Sequence, residues 1–461
     1  MKIQPPRVQI DDNDAFANAL FDRKEFGLSL TELLRNTDEG VVVFVNAPWG
    51  EGKTTFSEMW RAHLRSQKLE AIYYDSYASD YLADPFLSFS AEILGPIDKR
   101  LADAEGTPAA RREFKKAAIE VGKKLAALGA KVGIKALTMG AVDSGVVGEL
   151  KTIGEGIADG TADIGAEIIE KRLDNLTKDK DVLKSFKESL GKLARLVRTE
   201  QRFPLTIIVD ELDRCRPDYA LNLLERIKHL FDVKDVAFVL LVNQEQIEGY
   251  VRTVYGERVD ARSYLLKFAH VFVDLPRYHR DQHAKDGRVV FAETLIAHFN
   301  LPIPNDQNFA HRSIFSVVKH FKLSLREIEK MFITLALYYG SLPQNQFTDG
   351  FLVSLLAALK INKPEIYRNL SDGTVNAETF FKETRLDALP ENDAYHIDPA
   401  WLKSFLELLL LSDSELNAHP EKDKMSQRTC SWSGPYRIGR RAAIPFLCAR
   451  LDRFSPKSLK G

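Results

Sequence analysis

The stretch VVVFVNAPWGEGKTTFSEMW, residues 41–60, restricts this chain more than any other. Its first six residues are apolar up to a closing Asn46, which fits a strand buried on both faces of a parallel sheet. Gly50 and Gly52 then open a loop, and the following run has helical spacing, with Phe56, Met59, Trp60 and Leu64 on one face. A second short strand, AIYYDS, follows at 71–76. Strand, glycine loop, helix and strand make a βαβ unit, which belongs in a layered α/β sheet.

The loop reads A-x-x-x-x-G-K-T from Ala47 to Thr54. Gly50 and Gly52 let backbone N–H groups turn inward around phosphate oxygens, where side chains would obstruct them. Lys53 supplies a cation between the β- and γ-phosphates, and Thr54 a hydroxyl ligand for Mg²⁺. The helix that begins here aims its positive end at the same anion. Ala47, where glycine is usual, starts the turn and contributes little to the grip.

Three more buried-type strands are expected at 205–210 (LTIIVD), 236–242 (VAFVLLV) and 270–275 (HVFVDL). A helix, PDYALNLLERIKHLF, separates the first two, with Pro217 in its opening turn, where proline is tolerated. Asp210 ends a hydrophobic strand, so its carboxylate can reach Mg²⁺ through water. Glu211 can orient and polarise an attacking water, and Asp213 is the second candidate for either task. Asn243, which closes VAFVLLVN, is placed either to meet the γ-phosphate or attacking water, or simply to end a strand. The candidate nucleotide-binding set is thus Ala47, Trp49, Gly50, Glu51, Gly52, Lys53, Thr54, Thr55 and Asn243, with Thr54 and Asp210 at the metal.

These elements divide the chain into a helical lead-in (1–40), a first part of the sheet domain (41–96), a Lys/Gly/Ala-rich helical insertion (97–200), a second part (201–277) and a C-terminal helical region (278–461). The lead-in carries one amphipathic helix, AFANALFDRKEFGLSLTELLRN, residues 15–36. No strict internal repeat is found. The expected fold is α/β, a P-loop NTPase with a doubly wound, mainly parallel sheet.

Composition narrows the function. A formal net charge of -1 gives no global basic field of the kind that marks a nucleic-acid binder. Three scattered cysteines have no metal-ligand spacing and cannot all pair, which points to a reducing cytoplasm. The start lacks the apolar core of a signal peptide, and no apolar run of about 18 residues exists. Guanine-specific P-loop proteins usually carry N-K-x-D; the one NK here, in INKPEI, is followed by glutamate and has no matching strand. ATP is therefore the expected nucleotide.

The strings NAPWGEGKTT, IIVDELDRCRPDYALNLLERIKHLFDVKDVAFVLLVNQEQIEGYV and YLLKFAHVFVDLPR resemble the KAP family of P-loop NTPases. The segment DSYASDYLADPFLSF is similar to that family's asparagine-alanine-tryptophan segment, with Asp75 and Tyr77 in place of the asparagine and tryptophan. The resemblance covers roughly residues 12 to 335, with a gap at the insertion. It implies an ATPase of the additional-strand class, with the two phosphate-site strands separated in the sheet, and a STAND-like nucleotide switch. It also implies antiviral roles among bacterial members. Arg326, in LSLREIEKMF, matches a family arginine that would sense the γ-phosphate; an exposed helix arginine is the plain alternative. Trp49 becomes a family marker whose task stays open between packing on a helix and contact with nucleotide or partner.

Several readings compete beyond the loop. Arg214 and Arg216 either complete a site, within the chain or across a homo-oligomer interface, or form structural salt bridges. Residues 114–140 either lie on an anionic membrane surface or pack as a helical hairpin. Arginines 437, 440 and 441 either touch phosphate or form a solvated basic helix end. The leading function is an ATP-driven switch, with a separate effector protein if one is needed. The alternatives are a nucleic-acid-stimulated loader and a weakly hydrolysing membrane or assembly scaffold.

Overall fold

The computed structural model describes residues 2–100 apart from 7, 12, 38 and 82–84, parts of 109–120, and 181–196 apart from 182. It further describes 203–279, 285–303, 307–343, 349–388, 399–419 and 439–454. Five strands, β1 (Val41–Asn46), β2 (Ala71–Asp75), β3 (Leu205–Asp210), β4 (Val236–Val242) and β5 (Val271–Asp274), pair in the order β2-β3-β4-β1-β5. Every pairing is parallel. β4 therefore separates β1, which leads into the glycine loop, from β3, which carries the acids. Asn46 is in register with Val242 and Asp274, and Asp75 with Asp210, so the strands end along one edge. Ligand crevices of open α/β sheets form outside such carboxyl ends.

Both faces of the sheet are covered, as the continuous apolar runs of β1, β3 and β4 require. One face, including Val43, Val45, Ile208 and Leu241, packs on α1 (Arg23–Arg35) and α2 (Lys53–Ser66) through Leu30, Leu34, Phe56 and Trp60. Phe56, Met59, Trp60 and Leu64 are all buried, the single face that their spacing predicts. Each contributes about 1.5–3 kcal/mol by leaving water. The other face meets α3 (Pro85–Arg100), α4 (Pro217–Ile227), α5 (Gln244–Tyr255) and the helical residues 183–196. β5 departs from expectation: it is a half-exposed edge strand, because only β1 pairs with it.

The C-terminal region builds its own core from helices that include α6 (Gly287–Phe299), α7 (Gln307–His320), α8 (Leu325–Gly340) and α9 (Gly350–Asn362). Arg440 is neither solvated nor free for phosphate. Its guanidinium donates to the carbonyls of Leu408 and Leu411 and pairs with Asp413, closing the end of a neighbouring helix. Arg437 lies outside the described residues.

The lead-in helix starts eight residues later than its pattern suggests, at Arg23. Phe21 adopts φ 59°, which breaks the helix, and its ring lies beneath the guanidiniums of Arg23 and Arg288 at 5.1 and 5.4 Å. Cation–ring contact outweighs helical propensity there. The expected boundary at 96 falls inside α3. Most of the insertion, with all of 121–180, lies outside the described residues, so the choice between membrane surface and hairpin does too. No helix among the described residues is long and apolar enough to cross a membrane.

Candidate nucleotide site

The loop between β1 and α2 has the backbone that its sequence demands. Gly50 and Gly52 take φ 84° and 76°, a region that L side chains rarely adopt. Both are also closely approached. A Cβ on Gly50 would stand 2.8 Å from the Cβ of Arg326, and one on Gly52 would stand 3.1 Å from an Arg23 guanidinium nitrogen. The helical region thus rests directly on the loop, where the Arg326 amide donates to the Gly50 carbonyl at 3.1 Å. Ser324 and Glu327 form a reciprocal cap at the start of α8 and hold that contact in place. Gly50→Ala is expected to force α8 off the loop and to cost about 1–3 kcal/mol through backbone strain alone. Thermal unfolding and nucleotide affinity, both reduced, would check it.

Lys53 donates to the Ala47 carbonyl at 2.9 Å and pairs with Asp213 at 3.3 Å. Trp49 also donates its indole N–H to the same Asp213 oxygen, at 2.5 Å. Trp49 therefore ties the glycine loop to the acidic turn while the residue stays 44% exposed. Asp213 is fully buried, and its other carboxylate oxygen has no partner. It serves as counter-ion to the lysine rather than facing the cavity.

The two consecutive acids diverge. Glu211 is left-handed at φ 60°, which turns the chain sharply out of β3. Asp210 stays fully buried beneath, accepting from the Glu211 amide at 2.8 Å and from Tyr73 at 3.1 Å. Burial first, and then the Glu211 carboxylate, push the Asp210 carboxyl up to about 6. Glu211 faces the cavity, where it accepts from the Thr54 hydroxyl at 3.0 Å and pairs with Arg214 at 2.6 Å. The donors in the cavity wall are the Thr54 hydroxyl and the Glu211 carboxylate, with the Asp210 carboxylate fully buried beside them; all are hard oxygen ligands suited to Mg²⁺. Among the described residues no group of three or more His, Cys, Asp and Glu could hold a metal by itself. Mg²⁺ fits such a partial set, since it usually binds through one or two carboxylates plus substrate phosphates.

A cavity of about 540 Å³ opens over the loop. Trp49, Gly50, Gly52, Lys53, Thr54, Thr55, Glu211 and Arg326 line it, so the structure brings these sequence candidates together. Ala47, Asn243, Asp213 and the metal candidate Asp210 are not in the wall. Asn243 stands just beyond β4 as the cap residue of α5, without a side-chain capping bond. Glu51 turns away from the cavity and pairs with Arg288 of α6 at 3.5 Å, both side chains being buried. Arg216 bonds Asp80 and is a structural link between β2 and β3 extensions.

Sequence reasoning missed Arg23, Arg288 and Tyr73. Arg23 donates to the carbonyls of Glu51 and Pro276, and burial lowers its pKa to about 10. Arg288 donates to the carbonyls of Leu323 and Arg277, both at 2.9 Å. Together these two arginines fasten the glycine loop to the segments that enter α6 and α8. The signal in the sequence was faint: Arg288 is a lone charge in the apolar opening of α6, whereas Arg23 stands among the charged residues RKE that open α1.

The family model for the KAP family P-loop domain matches residues 23–340 of the chain. No curated protein matches it.

Proposed function

The chain belongs to the KAP family of P-loop domains, which implies nucleotide binding, and we propose that it is a Mg²⁺-dependent ATPase whose cycle governs the docking of α8. One observation carries the switch: the first turn of α8 is hydrogen-bonded to the phosphate loop through Gly50, with Arg326 in the same cavity wall as Lys53, Thr54 and Glu211. A ligand in that cavity must touch both the sheet domain and the helical region.

In this reading the amides around Gly50 and Gly52 cradle phosphate oxygens, and Lys53 leaves Asp213 to hold the β- and γ-phosphates. Thr54 and Asp210 would hold Mg²⁺, which would supply neutralisation of the charge that develops between the phosphates. Glu211 orients the attacking water and accepts its proton, while Arg214 and Thr54 keep the carboxylate aimed. Arg326 reads the terminal phosphate from the helical side, and loss of that phosphate releases α8. The position of β4 between β1 and β3 supports an additional-strand ATPase, and the STAND-like placement comes from the family resemblance. Service in bacterial anti-phage defence, with a separate effector, rests on the family resemblance alone.

Phosphate release from ATP, present with Mg²⁺ and absent with EDTA, tests the enzymatic part. For the switch, hydrogen exchange in 324–340 is expected to slow with a non-hydrolysable ATP analogue and to stay unchanged in Arg326→Ala. Exchange that ignores the nucleotide in the wild type would sink the switch.

A further inference from the structure

A second hollow, of about 360 Å³, lies beside the nucleotide cavity and is more open to solvent. It shares Trp49 and Arg326 with that cavity but contains neither Lys53 nor the two glycines of the loop. Its other cations are Arg277, which follows β5, and Lys322, in the turn between α7 and α8. Lys322 and Arg326 are exposed and Arg277 is half-buried. None of the three is held in an ion pair among the described residues. Lys322 also adopts φ 48°, where glycine or asparagine is the ordinary occupant, so its ammonium is kept there at a backbone cost. The carboxylates in the wall do not cancel this charge. Glu327 accepts from Ser324 and Asn362, and Glu51 is buried and pairs with Arg288 at 3.5 Å.

Trp49 supplies the other half of the chemistry. Its one polar atom, the indole N–H, is spent on Asp213, which holds the side chain in place. What this exposed residue offers a ligand is therefore apolar ring surface, fixed among cations. Tyr278, next in the chain to Arg277, is a further exposed aromatic, with the Arg288 guanidinium against its ring at 4.9 Å.

An acidic peptide would satisfy the cations and leave the indole in water. A duplex would offer phosphates but keep its bases stacked inside. A single strand uses both features, with phosphates on the cations and an unstacked base on the aromatic ring. We propose that this hollow binds single-stranded nucleic acid, with phosphates on Arg277, Lys322 and Arg326 and a base on Trp49. The near-neutral chain supplies no wider field, so the attraction is local and rests on these few contacts. A strand lying here touches the phosphate loop and the α7–α8 turn together. Its binding needs no nucleotide in the neighbouring cavity, and so does not depend on ATP being hydrolysed there.

Fluorescence anisotropy of a labelled oligothymidylate of about 16 nucleotides, without added ATP, tests this. Contact with three phosphates predicts that log affinity falls against log salt with a slope of roughly -2. The charge-reversed double variant Arg277→Glu/Lys322→Glu should bind about tenfold more weakly or worse, with the slope reduced to about -0.7. Neither side chain is ion-paired in the fold, so its thermal unfolding should match that of the wild type. Trp49→Leu should weaken binding about fivefold or more while the salt slope holds. The oligonucleotide should also quench tryptophan emission in the wild type and not in Trp49→Leu. Absence of binding by the wild type, or equal affinity for a duplex of the same length, would overturn the proposal. So would binding that survives the double charge reversal. Polyglutamate that binds the wild type as tightly, with Trp49→Leu indifferent to both ligands, would assign the surface to an acidic protein segment instead.

Discussion

Glu211→Gln is expected to bind ATP about as well as the wild type and to turn it over roughly 10²–10⁴-fold more slowly. Glutamine keeps the shape that reaches Thr54 at 3.0 Å and an oxygen to accept from it or from Arg214. What it loses is the capacity to accept a proton. A matched pair of measurements, equilibrium binding of ATP and steady-state phosphate release, separates the two. The comparison that decides the assignment is Asp213→Asn. Asp213 is fully buried and engaged by Lys53 and Trp49, so its substitution should disturb stability and the resting position of the lysine. Should Asp213→Asn abolish turnover with binding intact, while Glu211→Gln remains active, the roles of the two acids would have to be exchanged.

The divergence of those acids marks the limit of what the sequence makes legible. β1, β3 and β4 are readable because strands buried on both faces leave continuous apolar runs, and the glycine loop is readable because its backbone needs leave glycines. The contacts that complete the site obey no local pattern. Tyr73 reaches Asp210 across 137 positions, and Arg23 reaches Pro276 across 253. A tyrosine in AIYYD looks like ordinary strand composition. Only the pairing of β2 with β3 puts it beside the acid. The same reason explains the late start of α1. A periodic pattern cannot show that Phe21 is held between two arginines, one of them contributed by α6. The expected helix gives way where a tertiary contact is stronger than the local preference. Trp49 is instructive too: its place in the loop was visible, whereas its partner was not, because Asp213 lies 164 positions away.

Lys53→Ala should abolish measurable nucleotide binding, but by itself it is an impure test, because it damages the protein in a second way. The lysine is 7% exposed and its partner Asp213 is fully buried. Asp213 already has one carboxylate oxygen without a partner. Removing the ammonium leaves that carboxylate buried with only the Trp49 indole N–H, and stranding one member of a buried pair costs about 3–5 kcal/mol. A large fall in thermal stability is therefore expected alongside the loss of binding. The double variant Lys53→Ala/Asp213→Asn separates the effects. It removes both charges, so most of the lost stability should return, since a neutral pair of similar shape carries little desolvation cost. Binding should not return, because the cation that meets the phosphates is still missing and each charge-assisted hydrogen bond is worth about 1.5–3 kcal/mol. Denaturant titration and ATP calorimetry on the wild type and the two variants read the two outcomes independently. Recovery of binding with recovery of stability would mean that Lys53 acts as a structural counter-ion to Asp213 and has no direct part in holding the nucleotide.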